Sequence, residues 1–484
     1  MPSVLRVLNR PIVALVAVGL LALGLRLWHV TYPQTRIFDE YYYSKSGCIY
    51  LGYPDERCDV NSSDERYWRR ERNDTGAWVH PPLGKWAIAL GELVFGTDSF
   101  GWRFASVVFG TASVVMLAGI AQLLFGRPIW TFTAGLLLAT EHLSFVQSRV
   151  AMLDIFVTTW IVAGFLLLIL DRRWIERRAR ALQAPPETEP ERAAGSEPAR
   201  LGIPEPLLRP WRLAAGAAFG AAVASKWSGI TGIATAIVLA VLWEVTRRRR
   251  AGIPRPTWEA LRSEGFGIVI SLMLVPALVY VASYAAWFAQ NGWDVVGWMR
   301  LQGAIASYHA NLQVLDEAGE PIHPYLSEAW RWIVLWRPVL YYADYATEGV
   351  RKVIYAYGNP AIFWGSILAL PYTAVAWWRR RDWRAGFVVV TVLGLYVPWL
   401  LVSRPQFFFY ATPLVPFLVL ACVYALKDLS EMHVAGSRSR PYLPFVVGFV
   451  VLSVGLFAWF WPALTGGPLS EEAFRLRAWF PSWT

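Results

Sequence analysis

The sequence lacks the signatures of the common nucleotide and metal sites. Its 484 residues contain no Walker-type phosphate loop, no dinucleotide-binding glycine fingerprint and no HExxH zinc motif. These absences disfavour transport driven by nucleotide hydrolysis and the direct use of a nucleotide-activated donor. Charged residues are also scarce, at 17% of the chain, whereas 56% of the residues are hydrophobic. This composition excludes an ordinary soluble domain and indicates a membrane protein.

Cysteine is nearly absent, and the three cysteines fall in two different settings. Cys422 lies inside a hydrophobic run, which indicates a packed thiol. Cys48 and Cys58 both lie in the segment that follows the first hydrophobic run. If that segment is extracytoplasmic, the two can form a disulfide. A pair of free thiols fits equally well, because the sequence gives no geometry.

Long hydrophobic runs organise the chain. They are continuous and about 20 residues long, which is enough to span a bilayer and unlike the short alternations of a β-barrel. The first run has no small-residue cleavage site at its end, so we expect a retained helix. The sequence thus predicts an all-α polytopic membrane protein of about 11 spans. They are roughly 11–31, 102–125, 129–146, 149–170, two within 211–246, 266–287, 359–378, 386–402, 406–426 and 442–461.

The net charge of +10 comes from basic stretches beside the hydrophobic segments. By the positive-inside rule these stretches face the cytoplasm, which puts the N-terminus inside and the C-terminus outside a plasma membrane. A nucleic-acid site needs a basic face on a folded domain, and no such domain is indicated. The basic stretches are Arg172, Arg173, Arg177, Arg178 and Arg180; Arg247, Arg248, Arg249 and Arg250; Arg379, Arg380, Arg381 and Arg384; and Lys427, Arg438 and Arg440.

This topology divides one transmembrane domain, residues 1–484, by three long loops. Residues 32–101 form a first extracytoplasmic loop, in which the short apolar stretch 84–96 predicts a helix lying in the membrane interface. Residues 171–210 form a cytoplasmic loop, and residues 184–206 within it are expected to be disordered because they lack apolar periodicity. Residues 288–358 form a second large extracytoplasmic loop.

The acidic pair Asp39 and Glu40 follows the first span, in the aromatic sequence FDEYYY. Alone, such a pair is more often a solvated loop feature. Here basic residues converge on the same outer side, and Arg or Lys at helix ends can bind the phosphate of a lipid-borne donor. We expect Asp39 to act as a general base, with Glu40 as the second acid. The candidate phosphate ligands are Lys226, Arg404 and Arg149.

Further polar residues on the outer side are candidates for acceptor binding or for support of the site. Each has an ordinary interpretation, such as a solvated histidine or a snorkelling arginine, but together they favour chemistry. The acidic pair can in principle bind a divalent ion, yet no third or fourth oxygen ligand is identifiable, so we expect metal-independent chemistry with no cofactor. These candidates are His80 and Lys85 in HPPLGK, Arg103 in GWRFAS, Asp154 in QSRVAMLD, and His323 and Tyr325 in the second loop.

On these motifs the chain resembles the protein O-mannosyltransferases, glycosyltransferase family 39 of the GT-C fold. The matches run in order along nearly the whole chain: FDE, HPPLGK, the outer-end arginine, SRVAMLD, SKWSG, HPY, GNPAIFW and the late SRPQFFFY turn. The resemblance implies an inverting transfer of mannose from polyprenyl-phosphate-mannose to Ser or Thr hydroxyls of secreted proteins. It also implies Asp39 as the base and eleven spans.

One departure from the family pattern is informative. The second large loop is too short for the β-trefoil MIR domain of eukaryotic members, so the chain looks like the short bacterial form found in actinobacteria. For that form the resemblance implies a polyprenyl-phosphate-mannose donor and acceptor proteins delivered by the Sec translocon. The departure puts in doubt the heterodimers that eukaryotic members form.

Two alternatives share parts of this pattern. A GT-C enzyme that moves a lipid-linked sugar to a lipid or to a cell-wall glycan would have the same acid and phosphate site, although SKWSG and HPY favour a protein acceptor. A lipid-sugar flippase would place its key charges near mid-membrane, whereas here they lie at outer helix ends.

Overall fold

Helices make up most of the chain. The computed structural model describes residues 10–60, 78–183, 209–316, 318–433 and 440–483. The stretch 184–206, expected to be disordered, lies outside these ranges. In chain order the helices are α1 (Pro11–Leu27), α2 (Glu40–Tyr50), α3 (Asp55–Cys58), α4 (Leu83–Phe95), α5 (Ser99–Phe125), α6 (Pro128–Ala139), α7 (His142–Gln147), α8 (Leu153–Gln183), α9 (Pro210–Ser225), α10 (Ile230–Arg250), α11 (Pro256–Val269), α12 (Val275–Ser283), α13 (Ala285–Gln290), α14 (Val295–Ala310), α15 (Pro360–Arg380), α16 (Trp383–Leu400), α17 (Val415–Glu431), α18 (Leu443–Thr465) and α19 (Glu471–Arg475).

The predicted polytopic helical fold is confirmed. Seven helical segments among the described residues are long and apolar enough to cross a membrane: α5, α8, α10 with the turn before it, the unit from α11 through α12, α15, α16 and α18. The other four predicted spans coincide with the shorter helices α1, α6, α9 and α17. Each of the eleven predicted spans therefore has a helix, and the chain is a multi-pass membrane protein.

Two breaks in the helices place polar residues at helix ends. The predicted third span is divided at Thr140 and Glu141 into α6 and α7. The apolar block 211–246 is divided where predicted, since α9 ends at Ser225 and a short 3₁₀ turn, Trp227–Gly229, precedes α10. Lys226, which lies between them, has an extended backbone and therefore interrupts the helical path at this turn.

The second large loop contains a small antiparallel sheet that the all-α prediction did not include. Strand β1 is Val339–Asp344, β2 is Val350–Ala356 and β3 is Pro468–Ser470, with β2 in the centre. Val339 pairs with Ala356, and Arg351 pairs with Leu469. The C-terminal half of β2 is buried, and the strand packs against α18. The sheet thereby joins the second loop to the C-terminal segment.

The segment between α1 and α5 packs compactly on α5. Cys48 near the end of α2 and Cys58 at the end of α3 form a disulfide, which closes part of this segment. The short apolar stretch 84–96, for which an interfacial helix was predicted, forms the helix α4, which packs closely on α5. A Cβ added at Gly101 would lie 1.7 Å from the carbonyl oxygen of Gly96, so only glycine permits this approach.

A buried ion pair between Glu40 and Arg103 fixes the start of α2. The guanidinium donates to both carboxylate oxygens, at 2.7 and 2.8 Å, and its remaining N–H groups bond the carbonyls of Val30, Pro33 and Thr35. Both side chains are essentially inaccessible to solvent. The pair therefore ties the segment between α1 and α2 to α5.

Replacing Glu40 by glutamine should destabilise the protein strongly. The variant keeps the shape of the side chain but leaves the Arg103 guanidinium buried without a counter-charge, which costs about 3–5 kcal/mol. We expect E40Q to unfold at a clearly lower temperature than the wild type in detergent, measured by tryptophan fluorescence. The matched control is Glu56→Gln, an exposed glutamate in the same loop. Equal unfolding temperatures for the two variants would contradict this role for Glu40.

Candidate active site

Asp39 lies immediately before α2 and directly precedes Glu40, which forms the ion pair with Arg103. Phe38 before it adopts φ 50°, a left-handed conformation that is costly for an aromatic residue and is typically held by its surroundings at functional sites. The ring of Phe38 stacks on Tyr341 with centroids 4.6 Å apart. The Asp39 side chain does not cap α2. The carboxyl group instead interacts with the side chain of Tyr43 within that helix.

The surroundings of Asp39 favour a carboxyl group that titrates near neutrality. Burial raises its pKa to about 6, with a further contribution from the negative charge of Asp154. The positive charge of Lys226 and a hydrogen bond with Tyr43 oppose this rise. A carboxylate with a pKa near 6 is poised to accept a proton at physiological pH.

Lys226 and Asp154 form a buried ion pair beside Asp39. The Lys226 ammonium donates to both carboxylate oxygens of Asp154, at 2.9 and 3.0 Å. It also lies over the ring of Tyr410, 4.5 Å from the centroid, and faces Phe409 at 5.5 Å. Asp154 comes from the first turn of α8, and Lys226 from the turn between α9 and α10. The pair thus brings a cation to the side of the candidate base.

Arg404 is held by His309 of α14. One guanidinium nitrogen donates to Nδ1 of His309 at 2.8 Å, and Nε2 of the same ring donates to the carbonyl of Val79 at 2.9 Å. These two contacts require the neutral tautomer protonated at Nε2. Burial and the charge of Arg404 lower the pKa of His309 to about 4, which agrees with that tautomer.

His80 and Lys85 of HPPLGK lie on the same side. The ring of His80 is 5.2 Å from that of His309 and 6.1 Å from that of Tyr43. Burial lowers the pKa of His80 well below its usual value, and the nearby cations act in the same direction. The ammonium of Lys85 donates to the His80 carbonyl at 2.7 Å. Lys85 therefore shapes the turn that enters α4.

His323 and Tyr325 approach from the second loop. Nδ1 of His323 accepts the backbone N–H of Tyr325 at 3.2 Å, and its ring packs edge-on against Phe407 and Phe38. Burial lowers the pKa of His323. Because Phe38 directly precedes Asp39, the HPY segment borders the region of the candidate base.

Two of the predicted site residues, Arg149 and Glu40, form hydrogen bonds with other parts of the protein. Arg149 bonds the carbonyls of Leu25, Trp28 and His29 at the end of α1. Glu40 accepts from Arg103, and it also accepts the backbone N–H of Ala151 at 2.9 Å and that of Ile37 at 3.1 Å. Both side chains therefore position the walls of the site in this structure.

Among the residues described, no group of three or more His, Cys, Asp or Glu side chains could hold a metal ion. The polar groups near Asp39 include the ammonium of Lys226, the carboxylate of Asp154 and tyrosine hydroxyls. Tyr341 of β1 illustrates this, since its hydroxyl accepts from the amide of Gln147 at 2.9 Å. Asp39 and Asp154 both act electrostatically on this tyrosine.

Three residues of this site were absent from the sequence-based set: His309, Tyr341 and Tyr410. His309 is a single histidine within a loop helix, and no local pattern marks it. Tyr341 lies on a strand that was not predicted. Tyr410 ends the SRPQFFFY motif, so the motif was the available signal, but its role over Lys226 depends on a distant segment.

Two models of known protein families match parts of this chain. A family model described as "Dolichyl-phosphate-mannose-protein mannosyltransferase" matches residues 79–182. A second, described as "C-terminal four TMM region of protein-O-mannosyltransferase", matches residues 295–483. The matched ranges contain Asp154 and Arg404, whereas Asp39 and Lys226 lie outside them.

Curated relatives and a solved structure cover nearly the whole chain. The polyprenol-phosphate-mannose–protein mannosyltransferase of Mycobacterium tuberculosis H37Rv is 33% identical over 490 residues, which are 95% of this chain and 88% of the relative. The protein of that name from Corynebacterium glutamicum is 31% identical over 84% and 82%, respectively. The donor-bound Pmt1–Pmt2 complex of Saccharomyces cerevisiae matches with TM-score 0.72 and 13% identity over 98% of this chain and 92% of that chain, which shows a shared GT-C fold. This chain belongs to the protein O-mannosyltransferase family.

Proposed function

We propose that this chain transfers mannose from polyprenyl-phosphate-mannose to Ser or Thr hydroxyls of secreted proteins, at the outer face of the membrane. The donor is the one named for its mycobacterial and corynebacterial relatives. The observation that carries the proposal is the division of the acidic pair. Glu40 forms a buried ion pair with Arg103, whereas Asp39 lies near the Lys226–Asp154 pair and has a pKa of about 6.

Asp39 is the general base of this reaction. It takes the proton of the acceptor hydroxyl as the oxygen attacks C1 of mannose from the side opposite the phosphate. The new C1–O bond forms while the bond from C1 to the phosphate oxygen breaks, and the electron pair leaves with the polyprenyl phosphate. The configuration at C1 is therefore inverted. No cofactor or metal ion is required for this step.

Lys226 and Arg404 bind the donor phosphate and stabilise the charge that develops on it. Both cations flank Tyr410, since Arg404 lies 5.8 Å and Lys226 4.5 Å from its ring centroid. His309 occupies one nitrogen of Arg404 and leaves the guanidinium able to bond a phosphate with others. We assign Arg149 to holding the end of α1, because its donors are bonded to carbonyls there.

The remaining candidates position or border these groups. Asp154 orients Lys226, and His80 with Lys85 forms the entry to α4. His323 and Tyr325 border the acceptor side, next to Phe38. The orientation that fits this assignment has the N-terminus in the cytoplasm and the C-terminus outside. Acceptor segments would then reach the site as they emerge from the Sec translocon in the plasma membrane.

Replacing Asp39 by asparagine should abolish transfer while leaving donor binding in place. Asparagine keeps the size of the side chain but cannot accept the proton of the hydroxyl. We expect at least about a hundredfold loss of rate, the lower range for general-base catalysis. The assay supplies washed membranes with labelled polyprenyl-phosphate-mannose and a Ser/Thr/Pro-rich peptide, and follows label in the peptide.

The matched control for this assay is Asp59→Asn, an exposed aspartate in the same loop that pairs with Arg36. It should transfer label at close to the wild-type rate. Label that moves to a lipid or a glycan instead of the peptide would assign the chain to the other acceptor class. Full activity of folded D39N would exclude Asp39 as the base.

The pH dependence should report the environment of Asp39. Only the ionised form can accept a proton, so kcat/KM should fall about tenfold per unit below pH 6 and level off above it. Asp154→Asn removes a negative charge that raises this pKa, so the acid limb should move to lower pH. Lys226→Gln removes a positive charge that lowers the pKa, so the limb should move to higher pH.

Initial rates between about pH 4 and 8, two units on either side of the expected midpoint, give the three profiles. Each profile is normalised to its own plateau, so a general loss of activity in either variant does not affect the comparison. Shifts in the same direction for both variants, or an acid limb that neither variant moves, would contradict Asp39 as the titrating group.

A further inference from the structure

A second cluster of charged side chains lies at the opposite end of the bundle. Asp171 is on α8, 17 residues after Asp154, which corresponds to about 26 Å along the helix axis. Arg247 lies at the end of α10 whose start follows Lys226. The cluster is therefore separate from the candidate active site, and the reaction proposed above does not use it.

The centre of this cluster is a network of buried ion pairs. Arg209 bonds Asp171 at 2.6 Å, Glu244 at 2.8 Å and Glu264 at 3.2 Å, and Arg212 bonds Glu264 at 2.7 Å. These contacts connect α8, α9, α10 and α11. They explain why the acids are buried, but they do not use all the arginines in the cluster.

The network opens into a cavity of about 420 Å³ with an excess of positive charge. Its lining has six arginines but only three acids, Asp171, Glu176 and Glu244. Several buried guanidinium nitrogens have no hydrogen-bond partner among the described residues. They are Nε of Arg172, Nε of Arg212, and Nε and Nη1 of Arg247. The guanidinium groups of the lining favour an anion with several oxygens as the occupant of the cavity, above all a phosphate.

A second cavity, of about 620 Å³, adjoins the first and is mostly apolar. Trp377 and Trp378 line it together with Leu239, Leu242 and Val390. Arg172, Trp243, Trp383 and Arg250 line both cavities. Arg172 lies over the ring of Trp383, 4.3 Å from its centroid. A basic compartment thus continues directly into an aromatic and aliphatic one.

We propose that these joined cavities bind an anionic phospholipid, with the phosphate among the arginines and an acyl chain along the tryptophans. The spanning helices α10 and α16 form the walls, so a lipid can enter from the bilayer without leaving it. A soluble phosphate compound would use the basic compartment only. The adjoining apolar compartment is what favours a lipid, since basic pockets between spanning helices suit anionic head groups.

The test measures lipid binding by the full-length protein in detergent, using native mass spectrometry. The probes are dioleoyl phosphatidylglycerol, dioleoyl phosphatidylcholine with the same chains, and glycerol 3-phosphate with no chains. We expect the phosphatidylglycerol to bind at least about tenfold more tightly than either of the others, because only it satisfies both compartments.

Two sets of variants locate the binding. The double variant R172Q/R250Q removes two arginines shared by the cavities and should weaken phosphatidylglycerol binding about tenfold. The matched double R177Q/R379Q changes exposed arginines outside the cavities and should bind as the wild type does. Val390→Trp fills the apolar cavity without altering charge, and it should also weaken phosphatidylglycerol binding. Thermal unfolding without added lipid checks that each variant is folded.

Three outcomes would overturn the proposal. Equal binding of the two phospholipids would show that the head group is not recognised. An equal loss in the cavity double variant and the control double variant would show general electrostatic attraction. Full competition by glycerol 3-phosphate at equal concentration would show that the site takes a soluble phosphate and not a lipid.

Discussion

The ion pair between Arg103 and Glu40 is the constraint on which the candidate site depends. A buried charge pair is costly unless nearly every donor and acceptor is satisfied. Here the guanidinium bonds both carboxylate oxygens and three carbonyls, and the carboxylate accepts two further backbone N–H groups. The pair thereby fixes the loop after α1, the start of α2 and the turn before α8 relative to α5. Asp39 is positioned because its neighbour cannot move.

Two adjacent acids consequently have different chemistry. Glu40 faces a guanidinium and two backbone donors, which hold its carboxylate in place. Asp39 faces a partly buried space in which Asp154 opposes ionisation and Lys226 favours it. The positive φ of Phe38 turns the chain between these two environments. One dipeptide thus supplies both a rigid anchor and a titratable base, a division that is set by the surroundings and not by residue type.

The sequence was sufficient for the spanning helices, because hydrophobic runs and flanking arginines are local signals. It also singled out Asp39, Lys226 and Arg404 through motifs at helix ends, and the structure places these three side chains near one another. It could not supply pairings between distant segments, such as Arg404 with His309 or Gln147 with Tyr341, which are 95 and 194 residues apart. The sheet was missed because its strands are short and its third strand follows α18. Arg149 showed the limit of charge patterns, since its partners are backbone carbonyls that no side-chain motif encodes.

The Lys226–Asp154 pair also explains how the site tolerates its own charges before a donor arrives. An unpaired buried ammonium would be costly, and Asp154 offsets that cost at 2.9 Å. Burial raises the pKa of Asp39 above that of an ordinary aspartate, and the positive charge of Lys226 opposes this rise only in part. In the proposed reaction, a donor phosphate at Lys226 would add negative charge near Asp39 and raise its affinity for a proton. Donor binding and the strength of the base would then be linked through a single lysine.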